Sequence, residues 1–277
     1  MQIGVFAKTF AGSDPRGVLA EVAGAGFTTT QYNMSCSGLA SLPDAVDARA
    51  AAAVRAAAAD AGIEIAALSA TFNMIHPDPA SRARGLRRLG VLARAAAAMG
   101  ARVVTLCTGT RDPDDQWRGH PENGSVEAWR DLLASMEVAI ACAEETDVDL
   151  GIEPEPANVV SSAEAARRLI DELASPRLKI VFDAANLFEA AALSEQRDIV
   201  SRGLDLLADR LVLAHAKDRL PDASFATAGT GILDYAHYVA ELRRVGFDGA
   251  IVAHGLQATE APAVAAFLRR TIAAAAA

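Results

Sequence analysis

Four apolar runs in the second half of the chain each end in a side chain that can bind a metal or move a proton. The four terminal residues are Glu153, Asp183, His215 and His254. They lie roughly 30 to 40 residues apart, which is the length of one strand followed by one helix. Pro154 directly follows Glu153 and has no N–H for a sheet, so we predict that Glu153 ends a strand. The repeat therefore predicts four consecutive strands whose ends share one rim.

A shared rim would bring two carboxylates and two imidazoles into one small space. A single histidine or aspartate at a strand end is more often structural, but a structural explanation here would need four independent caps. Crowded carboxylates and imidazoles repel one another or stay unpaired unless a cation neutralises them. Mixed oxygen and nitrogen ligands suit Mn²⁺, Fe²⁺, Co²⁺ or Zn²⁺ better than Ca²⁺ or Mg²⁺. We expect one divalent cofactor ion, with Mn²⁺ ahead of Co²⁺, Fe²⁺, Zn²⁺ and Mg²⁺.

The elements that must position these residues alternate between strands and helices along the whole chain. Ser13 is expected to cap the first helix, and Pro43–Ala61 is expected to form the second. The predicted strands are Ile3–Ala7, Thr28–Tyr32, Ile63–Phe72, Arg102–Leu106 and the four runs that end at Glu153, Asp183, His215 and His254.

Apolar strands separated by helices indicate an α/β fold in which a parallel sheet is covered on its faces. Eight such units in about 250 residues match a (β/α)₈ barrel, whose active sites lie at the C-terminal rim of the strands. No G-x-G-x-x-G turn follows an early strand, which disfavours a doubly wound open sheet. We therefore predict one (β/α)₈ TIM barrel domain spanning residues 1–277.

Composition excludes several classes of partner. The net charge of −9, from 26 basic and 35 acidic residues, argues against a sequence-independent grip on nucleic acid or on an anionic membrane. No apolar run approaches the roughly 20 residues that span a bilayer. Three cysteines without a C-x-x-C motif fit a reducing compartment, and no signal peptide is evident, so we expect a cytoplasmic protein. The alanine-rich helices leave a homo-oligomer open.

Five motifs together indicate a family. They are Glu153-Pro-Glu-Pro156, Phe182-Asp-Ala-Ala-Asn186, Ala214-His-Ala-Lys-Asp218, Gly229-Thr-Gly-Ile-Leu-Asp234 and Gly246-Phe-Asp-Gly249. In this order and spacing the chain resembles the xylose-isomerase-like TIM barrels. That superfamily holds sugar (phosphate) isomerases and epimerases, inosose dehydratase-like enzymes and endonuclease IV. The resemblance covers the whole chain, and it implies one divalent metal held by Glu, Asp, His and Glu at four strand ends.

Carried over by position, the resemblance makes Glu153, Asp183, His215 and His254 the metal ligands. The last of these departs from the pattern, because the family usually has a glutamate there. In the ketose epimerases that glutamate both binds metal and exchanges the substrate proton. We therefore expect His254 to bind metal or to act as a general base, with Glu155 as the alternative for the second proton-transfer role. Glu153 is expected to be both a ligand and a catalytic base.

Further residues are candidates for substrate binding. Asn186 lies one turn beyond Asp183, where it could contact a substrate hydroxyl or cap a helix. Lys217 is expected to share the rim with His215 and to pair with a substrate oxygen or with a rim acid. The other candidates are Glu155, with Asn73 and His76 after the third strand and Trp117 in the long connection 111–124. Gly229-Thr-Gly231 is either a phosphate cradle or, more simply, a tight turn.

The chemistry follows from the metal that the resemblance implies. A ketose would bind through its carbonyl and a neighbouring hydroxyl, and the cation would acidify the adjacent C–H and stabilise an enediolate. This favours an isomerase or epimerase of a small sugar, keto-sugar or polyol. A lyase, dehydratase or deglycosylating enzyme that uses the same intermediate is one alternative, and a non-catalytic sugar-binding barrel is another. A nuclease like endonuclease IV is disfavoured by the acidic chain and its five histidines.

Overall fold

The computed structural model describes residues 1–189 and 191–275, and eight of its strands close into a parallel barrel. In chain order the barrel strands are β1 (Gln2–Phe6), β2 (Thr29–Tyr32), β3 (Glu64–Ser69), β4 (Val103–Leu106), β5 (Asp149–Ile152), β6 (Leu178–Asp183), β7 (Leu211–Ala216) and β10 (Ala250–Ala253). Neighbours in the chain are neighbours in the barrel, and β1 pairs with both β2 and β10 to close it. A small antiparallel hairpin, β8 (Asp218–Arg219) and β9 (Phe225–Ala226), lies between β7 and β10 along the chain. The predicted (β/α)₈ fold class is confirmed.

In the described residues, 1–189 and 191–275, eight α-helices surround the strands. They are α1 (Pro15–Gly24), α2 (Ala48–Ala61), α3 (Pro79–Met99), α4 (Val126–Thr146), α5 (Ala163–Leu173), α6 (Leu193–Leu207), α7 (Tyr235–Arg244) and α8 (Ala261–Ala274). Among the described residues, no helix combines the length and the apolar character needed to cross a bilayer.

Two predicted helix starts were wrong. Asp14, not Ser13, caps α1, because its carboxylate accepts hydrogen bonds from the N–H groups of Arg16 and Gly17. The second helix begins at Ala48 rather than at Pro43, and Asp47 caps it through the N–H of Ala50. In both cases an aspartate carboxylate satisfies free N–H groups at the helix start, one residue after Ser13 in α1 and four residues after Pro43 in α2.

Some strands end one to three residues before the predicted position. The strand β6 ends at Asp183 as predicted, whereas β5 and β10 end one residue before Glu153 and His254. Pro154 has no N–H to extend the ladder beyond Glu153. The strand β3 stops at Ser69 instead of Phe72, so the residues that follow belong to a loop.

Inside the barrel, away from the C-terminal ends of the strands, lies a set of side chains that we call the apolar layer. Its members include Ala67, Val103, Val181, Leu213 and Val252, all buried and in mutual contact. The larger core lies outside the sheet, where the other faces of the strands pack against the helices. Parallel strands buried on both faces explain why the sequence shows continuous apolar runs rather than alternation.

Helix α3 packs closely against the loop after β3, and this contact allows a prediction about the free energy of unfolding. A Cβ built at Gly85 would lie 2.1 Å from the ring of Phe72, whereas one at Gly24 of α1 meets nothing within 4 Å. We expect Gly85→Ala to lower the free energy of unfolding by about 1–3 kcal/mol through overpacking. Gly24→Ala should be neutral or stabilising by up to about 1 kcal/mol, because alanine favours helix. Denaturant unfolding of both variants checks this, and a Gly85→Ala protein as stable as the parent would contradict it.

Candidate metal centre

Two residues further along the strands, the barrel interior changes from apolar to polar. Side chains two apart on a strand face the same side, so this second set lies directly above the apolar layer at the C-terminal ends. We call it the polar layer; its members are Phe6, Gln31, Ser69, Thr105, Glu153, Asp183, His215 and His254. The same periodicity that fills the barrel with small apolar groups therefore brings the four predicted strand-end residues together.

The four residues predicted as ligands form one cluster. Glu153, Asp183, His215 and His254 each offer a ligand atom, and these atoms all lie within 4.8 Å of one another. Two cross-contacts tie the cluster together. Nδ1 of His215 is 3.1 Å from Oε2 of Glu153, and Nε2 of His254 is 3.1 Å from Oδ2 of Asp183. The strands that carry them are adjacent around the barrel, so a single ion could contact all four.

The His215 ring provides a specific test of whether a cation fits. Its Nε2 makes a hydrogen bond with Oε1 of Gln31 at 3.0 Å, whereas its buried Nδ1 has no hydrogen-bond partner. Oε2 of Glu153 lies close to Nδ1, but the two atoms are not oriented for a hydrogen bond. A buried nitrogen without a partner is costly, and a divalent ion between these groups would use its lone pair. The donor set therefore fits a metal.

The protonation states also suit metal binding. Burial and then the charge of Asp183 raise the pKa of Glu153 to about 7, although Lys217 and His254 oppose the shift. Burial acts to raise the pKa of Asp183, but the charges of Lys217 and His254 outweigh it and hold that pKa below its usual range. Burial lowers the pKa of His215 to about 4 and also lowers that of His254. Both imidazoles are thus neutral near pH 7, as metal ligands must be.

Asn186 and Lys217 connect the carboxylates. Nδ2 of Asn186 donates a hydrogen bond to Oε1 of Glu153 at 2.7 Å, and Nζ of Lys217 donates to Oδ1 of Asn186 at 2.8 Å. The same Nζ lies 3.2 Å from Oδ2 of Asp183. Lys217 therefore pairs with a rim acid, which was one of its two expected roles. Asn186 is buried and holds Glu153, a role that the sequence did not indicate.

Helix α7 fixes the backbone beneath the cluster. The hydroxyl of Tyr238 donates to the carbonyls of Phe182 and His215, and the hydroxyl of Tyr235 donates to the carbonyl of Lys217. The two tyrosines lie one helical turn apart, so Tyr238 reaches β6 and β7 while Tyr235 reaches the residue that follows β7. Neither tyrosine was predicted from the sequence. Two tyrosines three residues apart at the start of a predicted helix were the feature of the sequence that could have indicated this contact.

The glycine loop before α7 forms a tight turn. The carboxylate of Asp218 accepts hydrogen bonds from the N–H groups of Gly229, Gly231 and Leu233 at 2.9–3.0 Å. These N–H groups already bind an anion of the protein itself. The turn interpretation of Gly229-Thr-Gly231 therefore fits the structure better than a phosphate cradle.

A cavity of about 310 Å³ opens above the cluster. Glu153, His254, Glu155 and Lys217 line it, whereas Asp183 and His215 do not. Burial and then the charge of Glu153 raise the pKa of Glu155 to about 9. The remaining lining residues are Phe6, Lys8, Gln31, Asn33, Ser69, Thr71, Thr105, Leu106, Trp117, Phe225 and Gly255. A larger groove of about 640 Å³ lies outside the barrel between α3 and α4, far from the cluster.

Two predicted substrate contacts lie away from this cavity. Oδ1 of Asn73 accepts from the N–H groups of Ile75 and Thr110, while its Nδ2 donates to the carbonyl of Asp112. Nδ1 of His76 accepts from the N–H of Asp78. Because β3 ends at Ser69, these two side chains join loops to one another instead of facing the rim. Neither residue lines the cavity, and the expectation that Asn73 and His76 contact substrate stays a prediction.

Comparison with known proteins agrees with this architecture. A sequence model of the xylose isomerase-like TIM barrel family matches residues 19–271. The chain belongs to that family. Comparison with curated proteins gives no match.

Several solved structures superpose on nearly the whole chain. 3-Keto-D-glucoside 4-epimerase YcjR from E. coli has a TM-score of 0.77 at 17% identity, covering 98% of this chain and 99% of its own. A xylose isomerase domain protein from Alicyclobacillus acidocaldarius has a TM-score of 0.76 at 17% identity and covers 100% of both chains. D-Psicose 3-epimerase from Clostridium cellulolyticum has a TM-score of 0.75 at 15% identity, with 98% and 99% covered. At these identities the likeness shows a shared fold.

The cluster predicts that Mn²⁺ stabilises the folded protein. If the four groups bind the ion, free Mn²⁺ at about 100 times its Kd should add about 2.7 kcal/mol to the free energy of unfolding. Thermal melts with Mn²⁺ and with EDTA measure this. Asp183→Asn should abolish the stabilisation because it removes a buried ligand charge, whereas Asp198→Asn on the exposed face of α6 should retain it. A parent protein whose Tm does not change when Mn²⁺ is added would contradict the expectation.

Proposed function

We propose that this protein is a divalent-metal-dependent isomerase or epimerase of a small sugar, keto-sugar or polyol. The observation that carries the proposal is the cluster of two carboxylates and two neutral imidazoles at the floor of a cavity, with Nδ1 of His215 lacking a hydrogen-bond partner. The names of two structurally similar proteins, a 3-keto-D-glucoside 4-epimerase and a D-psicose 3-epimerase, point to the same class of reaction. On this proposal the whole chain acts as one barrel domain.

Glu153, Asp183, His215 and His254 would hold the ion, and Mn²⁺ suits their two oxygen and two nitrogen donors. When bound, the cation would polarise a substrate carbonyl and offset the negative charge that grows on oxygen as the adjacent C–H loses its proton. Of the four side chains, Glu153 and His254 are 13% and 17% exposed, whereas Asp183 and His215 are 1% and 2% exposed. The exposed pair can reach a substrate, and the buried pair acts only in binding.

Glu153 is the proposed base. Asn186 holds its Oε1, which leaves Oε2 next to the ligand cluster and within the cavity wall. A carboxylate held on one side has a fixed reach toward a substrate C–H, which is what proton transfer requires. In the metal-free protein, burial and the charge of Asp183 raise the pKa of Glu153 to about 7, and a bound cation would lower it by stabilising the carboxylate.

Glu155 is the proposed second proton-transfer group. The usual glutamate of the last strand is replaced by His254, whose ring stacks on Phe6 at a centroid distance of 4.8 Å and whose Nε2 is directed at Asp183. A ring held in this way is suited to binding rather than to moving a proton. Glu155 lines the cavity, and its pKa of about 9 keeps it protonated near pH 7, ready to donate. Together, Glu153 and Glu155 would supply the base and the acid.

The cavity wall suits a carbohydrate. Hydroxyl and amide side chains line one part of it, and they can exchange hydrogen bonds with sugar hydroxyls. Trp117 and Phe225 are about half exposed and line the same cavity, where they offer flat apolar surfaces to the C–H face of a sugar ring. Lys217, whose Nζ lies 3.8 Å from the Phe225 ring centroid, is proposed to contact a substrate oxygen.

A lyase on a keto-sugar is the second candidate. The feature in its favour is that Glu155 lines the same cavity as the base Glu153 and has a raised pKa of about 9, which favours the protonated carboxyl near pH 7. If the substrate carries a leaving group next to the carbon that loses its proton, this carboxyl could protonate the departing oxygen. Product mass separates the two candidates, because epimerisation conserves mass and elimination does not.

The roles predict how two glutamate variants differ. With Mn²⁺-loaded protein in D₂O, we expect deuterium to enter one C–H of a ketose from a panel of D-fructose, D-psicose, D-tagatose and L-ribulose. Glu153→Gln should lower turnover by about 10²–10⁴-fold and also weaken Mn²⁺ binding, because one group serves both roles. Glu155→Gln should lower turnover similarly while leaving Mn²⁺ affinity unchanged.

Glu144→Gln on the exposed surface of α4 is the matched control and should behave like the parent. Exchange and product composition are read by NMR and mass spectrometry. A Glu153→Gln protein with full turnover would refute the proposed base. Mn²⁺ binding without turnover of any sugar in the panel would instead favour a sugar-binding barrel.

A further inference from the structure

Gln31 reaches across the barrel to a residue of the metal centre. It lies on β2, is 3% exposed, and belongs to the polar layer. Its Nε2 donates hydrogen bonds to Oγ of Ser69 and to Oγ1 of Thr105, both at 3.0 Å. Its Oε1 lies 3.0 Å from Nε2 of His215. One amide thus links strands β3 and β4 on one side with β7 on the other.

The hydroxyl groups fix which way the amide points. Oγ1 of Thr105 lies 3.5 Å from the carbonyl of Leu68, to which it donates, so its lone pairs remain free to accept from Gln31. With both amide hydrogens directed at Ser69 and Thr105, the oxygen of Gln31 must face His215. A carbonyl oxygen can only accept, so this orientation of the amide requires a proton on Nε2 of His215.

The position of that proton decides what the other ring nitrogen can do. A neutral imidazole protonated at Nε2 has a lone pair at Nδ1. Nδ1 is the atom that faces Glu153 without a hydrogen bond. If the amide were turned over, its NH₂ group would face Nε2, the proton would move to Nδ1, and no lone pair would face the cluster.

We propose that Gln31 is a positioning residue that holds His215 in its Nε2-protonated form and thereby supplies Nδ1 as the nitrogen ligand from β7. The inference rests on the metal centre of the proposed function, but it names a residue outside the ligand set. Partners of this kind orient metal-bound histidines, and their loss typically weakens metal affinity 10–100-fold. Ser69 and Thr105 act one step further away, by fixing the amide of Gln31.

The first test reads the proton directly in the metal-free protein. Long-range ¹H–¹⁵N NMR of the full chain distinguishes protonated from unprotonated ring nitrogens, and a His215→Asn sample assigns the signal among the five histidines. We expect Nε2 protonated and Nδ1 unprotonated in the parent. A His215 ring protonated at Nδ1 would overturn the proposal. This measurement needs neither metal nor a known substrate.

The second test measures Mn²⁺ affinity by EPR of the free ion. Gln31→Leu removes the acceptor and should weaken binding about 10–100-fold, whereas Gln31→Glu retains an acceptor and should stay within about threefold of the parent. The matched control is Gln196→Leu, at a buried glutamine of α6 whose amide donates to the carbonyl of Ala191. It should bind Mn²⁺ like the parent.

Each outcome of the Mn²⁺ measurement either supports or overturns the proposal. Unchanged Mn²⁺ affinity in Gln31→Leu overturns the proposal, and so does an equal loss in Gln31→Leu and Gln196→Leu, which would reflect general loosening of the fold. A loss in Gln31→Leu that Gln31→Glu restores supports it. If Gln31→Leu does not fold, the NMR result on the parent decides. Failure of sugar turnover would refute the proposed reaction while leaving both readouts intact.

Discussion

The structure depends most on how buried negative charge is balanced at the end of the barrel. Glu153 and Asp183 lie in the polar layer, and Nζ of Lys217 lies 3.2 Å from Oδ2 of Asp183. Each buried carboxylate costs several kcal/mol of hydration unless it is paired and hydrogen-bonded. Lys217 and Asn186 offset part of this cost. A divalent cation would offset more of it, and we propose that the site is built for one.

The alternating directions of side chains along the barrel strands produce this arrangement. The alternation of side chains along each strand separates the apolar layer, which gives stability, from the polar layer, which carries the candidate chemistry. Tyr238 and Tyr235 then anchor the backbone of β6 and β7 from outside, and Asp218 holds the loop that leads into α7. The positions of the proposed ligands are therefore fixed by residues that do not themselves line the cavity, as precise placement of a site requires.

Much of the fold and the cluster was predictable, because each ligand residue sits at or next to the end of an apolar run and the runs repeat at one interval. Gln31 was not, since its contact with His215 joins residues 184 positions apart and depends on the closure of the barrel. Asn73 and His76 lie outside the cavity lining for a local reason. The strand β3 ends early at Ser69, and the loop after it uses its polar side chains to bind the β4 loop. The buried bond of Asn186 to Glu153 also depends on tertiary contact.

The central claim is that Glu153, Asp183, His215 and His254 bind one divalent ion together. A crystal structure of the full chain grown with Mn²⁺, with anomalous diffraction collected at the manganese edge, tests it most directly. We predict a single strong peak per chain, within about 2.0–2.3 Å of a carboxylate oxygen of Glu153 and of Asp183, Nδ1 of His215 and Nε2 of His254. A peak elsewhere, or one that His254 does not contact, would contradict the account.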